Sequence, residues 1–179
     1  AETIGGWDVA SGRRLWTIRP ESPGDFNVPT PLIHEGDLIV VTENNATRRF
    51  EFDADGKIRS DPVAVNDRLR SDMSTPVVVG DHLFCVKDFL FCLNLRDGMS
   101  EKWRLRDQAI GDYGAIIAST NRLLVMGKGE LLLLGADGQR RILARQKVFD
   151  QRVNLYSYPA LVNDRLYIRG ESALRCIRL

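Results

Sequence analysis

The feature that most constrains this chain is a short turn, ending in glycine, that recurs four times with its glycines 44, 42 and 40 residues apart. A second tight turn recurs in step with it along the whole sequence. Two independent markers with a common period of about 42 residues predict an architecture of repeated supersecondary units. The glycine turns are Ala10-Ser11-Gly12, Ala54-Asp55-Gly56, Arg96-Asp97-Gly98 and Ala136-Asp137-Gly138, and the second turns are Gly36-Asp37, Gly80-Asp81, Thr120-Asn121 and Asn163-Asp164.

Each period contains four short runs with the length and composition of β-strands, which we label A to D in chain order. Thr30-Pro31 and Thr75-Pro76 stand where an A strand begins, a position that tolerates a residue without an N–H. Sequential strands joined by short turns pair antiparallel. A four-stranded antiparallel sheet repeated at this period predicts the blades of a β-propeller, because a sandwich keeps no fixed period and a parallel β-helix has shorter coils.

The predicted organisation is one all-β propeller segment over residues 1–179, with about four blades' worth of strands. Three blades are complete and two are partial, because the sequence begins and ends in a C strand. The fourth strand of the first complete blade is assigned to Lys57-Ile58-Arg59. The partial blades cover residues 1–19 and 157–179, and the complete blades cover residues 28–60, 74–106 and 114–145.

The stretch from Asp8 to Trp16 resembles the quinoprotein, or PQQ-like, propeller repeat, in which an aspartate, a glycine and a tryptophan follow at four-residue intervals. A second copy ends in Trp103, with one extra residue before the tryptophan. The other two copies lack tryptophan and have Ser60 and Ile142 near its place. The resemblance implies that Trp16 and Trp103 pack between adjacent blades. It also implies an extracytoplasmic protein, periplasmic or secreted.

The resemblance raises a question of length, because propellers of that family have seven or eight blades and need roughly 300–340 residues at this period. Either the sequence is the C-terminal part of a longer protein or it closes differently. We favour the first reading. An isolated segment would expose the apolar flanks of its terminal blades, and we therefore expect it to self-associate.

Composition excludes two classes of partner. The 25 basic and 24 acidic residues give a net charge of +1, and no basic run exceeds two residues, so we expect no nucleic acid. No stretch approaches the roughly 18 consecutive apolar residues of a membrane span. Cys85, Cys92 and Cys176 form no metal-binding pattern.

The connections between strands predict one regular face and one variable face. The A–B and C–D turns are short and similar, whereas the D–A connections are long and irregular, and binding residues concentrate on such loops. Aromatic and arginine side chains are common anchors of interfaces, although the same residues also serve as ordinary loop packing. The candidate partner-facing residues on this variable face are Arg70, Asp72, Asp112, Tyr113, Arg152, Tyr156 and Tyr158.

These observations predict a non-catalytic module that binds a protein or a saccharide through its variable face. We assign no catalytic, cofactor-binding or metal-binding residue and no cofactor. The alternative is the C-terminal part of a PQQ-dependent alcohol or sugar dehydrogenase, which would require PQQ and Ca²⁺. The vicinal disulfide known in such enzymes has no counterpart here, and nothing in the sequence groups Asp25, Asp72 and Asp112.

Two short motifs admit competing interpretations. Cys85 and Cys92 would face each other, and could form a disulfide, if their hairpin turned at Asp88-Phe89; otherwise they are small buried hydrophobes. Gly127-Lys128-Gly129 resembles a phosphate loop only superficially, because no helix follows it. We interpret it as the turn between strands B and C.

Overall fold

The computed structural model describes residues 3–179, and the all-β class predicted from the sequence is confirmed for that range. No helix long and apolar enough to cross a membrane occurs among these residues. The strands are β1 (Ile4–Trp7), β2 (Arg14–Ile18), β3 (Leu32–His34), β4 (Asp37–Thr42), β5 (Ala46–Phe50), β6 (Ala64–Asn66), β7 (Val77–Val79), β8 (His82–Lys87), β9 (Phe89–Asn94), β10 (Ser100–Leu105), β11 (Ala115–Ala118), β12 (Arg122–Gly127), β13 (Glu130–Gly135), β14 (Ile142–Lys147), β15 (Ala160–Val162), β16 (Arg165–Arg169) and β17 (Leu174–Arg178).

The strands form five antiparallel sheets that follow one another along the chain, which makes the described residues a β-propeller segment. Strands β1 and β2 form the first sheet. Three complete four-stranded blades follow: blade 1 (β3–β6), blade 2 (β7–β10) and blade 3 (β11–β14). Strands β15 to β17 form the last sheet. Three complete blades between two incomplete sheets agree with the predicted architecture.

The apolar runs are continuous because the inner strands are buried on both faces. Side chains alternate across a strand. In β8, Leu83 and Cys85 pack against blade 1, whereas Phe84 and Val86 pack against blade 3. All four are at most 1% exposed. Burial of a large apolar side chain contributes about 1.5–3 kcal/mol, so each complete blade is stabilised chiefly by its two neighbouring sheets.

The repeated glycines are explained by the conformation of the C–D turns. Gly12, Gly56, Gly98 and Gly138 all have positive φ, between 56° and 74°. A residue with a Cβ is strained in that region, and glycine is not. At Gly138 an added Cβ would also lie 2.3 Å from Nε2 of His82. The spacing of these glycines therefore reflects a C–D turn with positive φ that recurs from sheet to sheet.

The first A–B turn differs by one residue from the prediction. His34 pairs with Asp37, so the turn residues are Glu35 and Gly36 rather than Gly36 and Asp37. Both turn residues have positive φ, as a two-residue hairpin turn requires. Asp37 consequently begins β4.

The fourth strand of blade 1 lies later in the chain than predicted. The segment Lys57-Ile58-Arg59 contributes only an isolated bridge, between Phe52 and Ile58, and the regular strand is Ala64–Asn66. Pro62 explains the interruption, because it has no N–H to donate to the ladder. Hydrogen bonding resumes at Val63, whose N–H donates to Arg49. Blade 1 thus extends beyond residue 60.

Cys85 and Cys92 are free thiols on opposite faces of blade 2, so the disulfide is excluded. Lys87 pairs with Phe89 across a turn at Asp88, which places Cys92 opposite Phe84 rather than Cys85. A shift of one residue moves a side chain to the other face of a sheet. Cys85 therefore packs towards blade 1 and Cys92 towards blade 3.

Candidate interaction surface

The two repeat tryptophans lie between adjacent sheets. Trp103 of blade 2 donates a hydrogen bond from Nε1 to the carbonyl of Gly138, in the C–D turn of blade 3, at 2.6 Å. Its ring centroid lies 6.0 Å from that of Phe84. Trp16 of the first sheet lies edge-on to Phe52 of blade 1, with centroids 5.9 Å apart. Each indole thereby contacts two sheets.

The strand register locates the same position in the blades that lack tryptophan. Trp103 lies opposite Cys92, and the corresponding pairs are Ala64 with Arg49 in blade 1 and Ala144 with Leu133 in blade 3. The tryptophan position is therefore occupied by Ala64 and Ala144. Ser60 and Ile142, the residues that spacing places near this position, lie four and two residues before it. A bulge before each of Trp103 and Ala144 displaces the count.

Blade 1 compensates for its missing tryptophan with an arginine, whereas blade 3 does not. Nη1 of Arg49 donates to the carbonyl of Leu95, in the C–D turn of blade 2, at 3.1 Å. This bond joins neighbouring blades as the bond from Trp103 does. At Ala144 no large side chain fills the space, and an open apolar cleft of about 490 Å³ separates blade 3 from the last sheet, lined in part by Leu133 and Ile177.

Two of the candidate acids on the variable face belong to a charge network around Lys87. Nζ of Lys87 lies 3.2 Å from Asp72 and 3.9 Å from Asp112. Burial opposes the charge of Lys87, but the hydrogen bond and charge of Asp72 outweigh it and raise its pKa. A hydrogen bond with Asp112 and partial burial raise the pKa of Asp88. The network thus joins the B–C turn of blade 2 to two D–A loops.

The candidate tyrosines connect D–A loops. The rings of Tyr113 and Tyr156 have centroids 5.2 Å apart. The hydroxyl of Tyr158 accepts a hydrogen bond from the backbone N–H of Thr75, which lies just before blade 2. Tyr156 is nevertheless 62% exposed and Tyr158 is 49% exposed. The variable face therefore carries exposed aromatic surface on a connected framework of loops.

The two candidate arginines lie in different places. Arg70 donates to the carbonyl of Asn44 at 2.7 Å, so it fastens the B–C turn of blade 1. Arg152 donates to the carbonyl of Gln108 at 3.0 Å and lines a polar depression between blades 2 and 3. The structure brings Asp72 and Asp112 together through Lys87, and Tyr113 together with Tyr156. It leaves Arg70 apart from both pairs.

Sequence reasoning missed most of the basic residues of this depression. Arg106, Lys128 and Lys147 line it along with Arg152. Lys128 is at the tip of the hairpin between β12 and β13, which is the turn expected for Gly127-Lys128-Gly129. The lysine between two glycines at position 128 was a usable sequence signal for this site. Lys147, from β14, and Arg106 and Arg152, from the D–A loops, become its neighbours only after folding.

The regular face holds one group of three potential metal ligands within the described residues. His34, Glu35 and Asp81 offer atoms within 4.8 Å of one another. The guanidinium of Arg96 lies 2.7 Å from Asp81 and 3.4 Å from Glu35. Its hydrogen bond lowers the pKa of Asp81. A cation already neutralises this group, so it makes a poor metal site.

The carboxylates of the variable face do not fit the PQQ and Ca²⁺ of a quinoprotein dehydrogenase. Asp72 and Asp112 converge on the ammonium of Lys87, which occupies the place that a metal cation would need. Asp25 is buried and accepts hydrogen bonds from Asn44 and Asn45. We therefore derive no redox step for this chain.

Comparison with known proteins supports the propeller class. No family model and no curated protein matches the sequence. BamB from Moraxella catarrhalis is 17% identical with a TM-score of 0.66, over 98% of this chain and 51% of that one. The computationally designed Ika8 protein is 8% identical with a TM-score of 0.69, over 99% and 53%. A functionally unknown protein from Desulfotomaculum acetoxidans DSM 771 is 13% identical with a TM-score of 0.67, over 99% and 61%.

At these identities the likeness concerns the fold alone. The chain spans about half of the first two proteins and about three fifths of the third. Their folded frameworks correspond to the sheets described above, while their side chains differ at most positions. The function of this chain therefore has to be argued from its own surface.

Proposed function

We propose that this chain is a non-catalytic, PQQ-like propeller module that binds a protein or saccharide partner through its variable face. The observation that carries the proposal is the pair of exposed Tyr156 and half-buried Tyr113, with exposed Tyr158 beside it, on irregular loops fastened to the blades. Aromatic side chains supply much of the binding energy of interfaces. The resemblance of the repeats to quinoproteins supports an extracytoplasmic location.

Photo-crosslinking tests which face is used. A benzophenone amino acid replaces Tyr156 on the variable face in one variant and Ala54, in an exposed C–D turn on the regular face, in the other. In cells that produce the protein, we expect an irradiation-dependent adduct at position 156 and none at position 54. Equal adducts at both positions would contradict the assignment of the face.

Two further measurements separate the remaining alternatives. A glycan array probed with the wild type and with Tyr156→Ala detects a saccharide partner, and the variant should lose any signal. Addition of PQQ and Ca²⁺ to the full-length protein should give neither a cofactor absorbance band nor dye-linked alcohol or sugar oxidation. Cofactor binding with turnover would replace this proposal by the dehydrogenase alternative.

A further inference from the structure

The polar depression between blades 2 and 3 has two adjoining parts, of about 450 and 420 Å³. Both parts are lined by Lys128 and Arg152. Arg106 lines only the first part and Lys147 only the second. Four basic side chains, contributed by one hairpin tip, one strand and two loops, therefore surround a single continuous depression.

The principal carboxylates of the depression are already paired with a fifth cation. Arg145 lies 2.6 Å from Asp107 and 2.5 Å from Glu130, and so bridges blades 2 and 3. The hydrogen bonds to these two carboxylates raise the pKa of Arg145. Asp107 is partly buried, yet the Arg145 guanidinium lowers its pKa. Both carboxylates are thus paired with Arg145 and not with the other four cations.

Within residues 3–179, Arg106, Lys128 and Lys147 make no salt bridge and no side-chain hydrogen bond, and Arg152 donates only to a backbone carbonyl. Asp88 and Asp150 are the remaining acids of the depression, and Asp88 hydrogen-bonds with Asp112. With Arg145 included, five cations face four carboxylates, so the surplus is one positive charge. Four of these cations form no ion pair among the described residues. An anion entering it would gain charge-assisted hydrogen bonds without breaking an existing ion pair.

The backbone at Lys128 is the second notable feature. Its φ is +43°, a left-handed conformation that an L-residue adopts at a cost of about 1–2 kcal/mol and that asparagine tolerates better. The preceding Gly127 leaves no room for a side chain, because an added Cβ would lie 2.5 Å from the carbonyl oxygen of Ala109. The hairpin tip therefore holds an ammonium group over the depression at a position poorly suited to lysine. The two-residue turn at Glu35 requires the same positive φ, so Lys128 is distinguished by its place in the lining of the depression and not by its backbone alone.

We propose that this depression binds an acidic segment of a protein partner, with Lys128 and Arg152 at its centre. The proposal rests on the function proposed above and names the chemistry of the partner. Because Arg106 and Lys147 extend the positive charge into separate parts, the ligand carries carboxylates on more than one residue. Complementary charge of this kind steers association and selects the partner.

A saccharide fits this depression less well, because neither of its two aromatic rings is free. Arg104 lies over Phe89, 4.9 Å from the ring centroid. Phe149 is 7% exposed, with Arg175 at 6.0 Å from its centroid. Cations that already cover an aromatic face leave no platform on which a sugar ring could stack.

The test measures fluorescence anisotropy with a labelled peptide of alternating Glu and Ser, and with the corresponding Gln and Ser peptide. We expect only the acidic peptide to bind, and its affinity to fall roughly tenfold when salt is raised from low to physiological concentration. Lys128→Asn should weaken binding at least fivefold. Asparagine suits the positive φ, so the thermal stability of this variant should not fall.

Lys57→Asn is the matched control, because Lys57 is an exposed lysine in a C–D turn on the regular face. It should leave the affinity unchanged, and Arg152→Gln should behave like Lys128→Asn. Equal binding by Lys128→Asn and the wild type would overturn the site. Binding of dextran sulfate, but not of the acidic peptide, would overturn the peptide assignment. If crosslinks still form at position 156 in either case, the variable face stands and only its chemistry is wrong.

Discussion

The interface between blades 2 and 3 and the interface between blade 3 and the last sheet use the same repeat positions, yet one is closed and the other open. Trp103 spans the first, and Ala144 leaves a cleft of about 490 Å³ in the second. One position on the third strand, Cys92 in blade 2, recurs as Leu133 in blade 3 and Cys176 in the last sheet. Cys92 is fully buried, Leu133 is partly buried and Cys176 is exposed.

These three equivalent positions show that the burial of a side chain depends on the sheet that packs against it and not on the residue type. Cys92 faces a complete blade, Leu133 faces a three-stranded sheet, and Cys176 faces no further sheet within the described residues. The strands that carry them have comparable hydrogen-bonded registers. Since stability in repeat proteins is largely a sum of nearest-neighbour terms, the segment should be most stable in its middle and weaker at its two terminal sheets.

The largest expected difference is in thiol reactivity. Burial raises the pKa of Cys92 and of Cys85 to about 12. The thiolate is the reactive form, and at pH 8 both buried thiols are protonated and shielded. With a disulfide reagent, Cys176 should react more than a thousandfold faster than either, because the buried thiols react only after unfolding costing at least about 5 kcal/mol.

Peptide mass spectrometry assigns the labelled cysteine at each time point, and labelling in urea supplies the control. All three thiols should react at similar rates once the chain is unfolded. Rapid labelling of Cys92 in the native protein would show that blade 3 does not cover it. Comparable protection of Cys176 would contradict this prediction, and would favour the alternative that self-association covers the last sheet in solution.

The next largest effect concerns the tryptophan of the closed interface. Trp103→Ala removes the indole packed on Phe84 and its hydrogen bond to Gly138. We expect the free energy of unfolding to fall by about 3 kcal/mol, measured by urea denaturation. Trp103→Phe keeps most of the ring contact but loses the donor, and should cost about 1 kcal/mol.

Trp7 provides the matched control, since it is also a tryptophan but is 55% exposed. Trp7→Ala should change the free energy of unfolding by well under 1 kcal/mol. If Trp103→Ala were as mild as Trp7→Ala, the indole would not hold the blades together, and the comparison of closed with open interfaces would lose its basis.

The sequence predicts the repeated parts of this molecule better than the junctions between them. Positive-φ glycines such as Gly98 and Gly138 are required locally, so their spacing reveals the blades. The position of Ala144 is hidden by a bulge, and the fourth strand of blade 1 is displaced by Pro62. Likewise, Lys128 is visible in its hairpin, but its three basic neighbours come from distant parts of the chain. Only folding brings them together.

The smallest expected effect is obtained by closing the open interface. Ala144→Trp places an indole at the register position of Trp103 and covers part of the apolar cleft between blade 3 and the last sheet. The cleft is open on one side, and within residues 3–179 the indole N–H gains no partner comparable to the carbonyl of Gly138, so we expect a gain of only about 1 kcal/mol in the free energy of unfolding. Thr17→Trp, at an exposed position of β2, measures the part of that gain that comes from β-propensity alone. A gain at position 144 no larger than the gain at position 17 would mean that the cleft is not the empty counterpart of the tryptophan site. A clear excess, together with slower labelling of Cys176, would show that filling one interface strengthens the attachment of the whole last sheet.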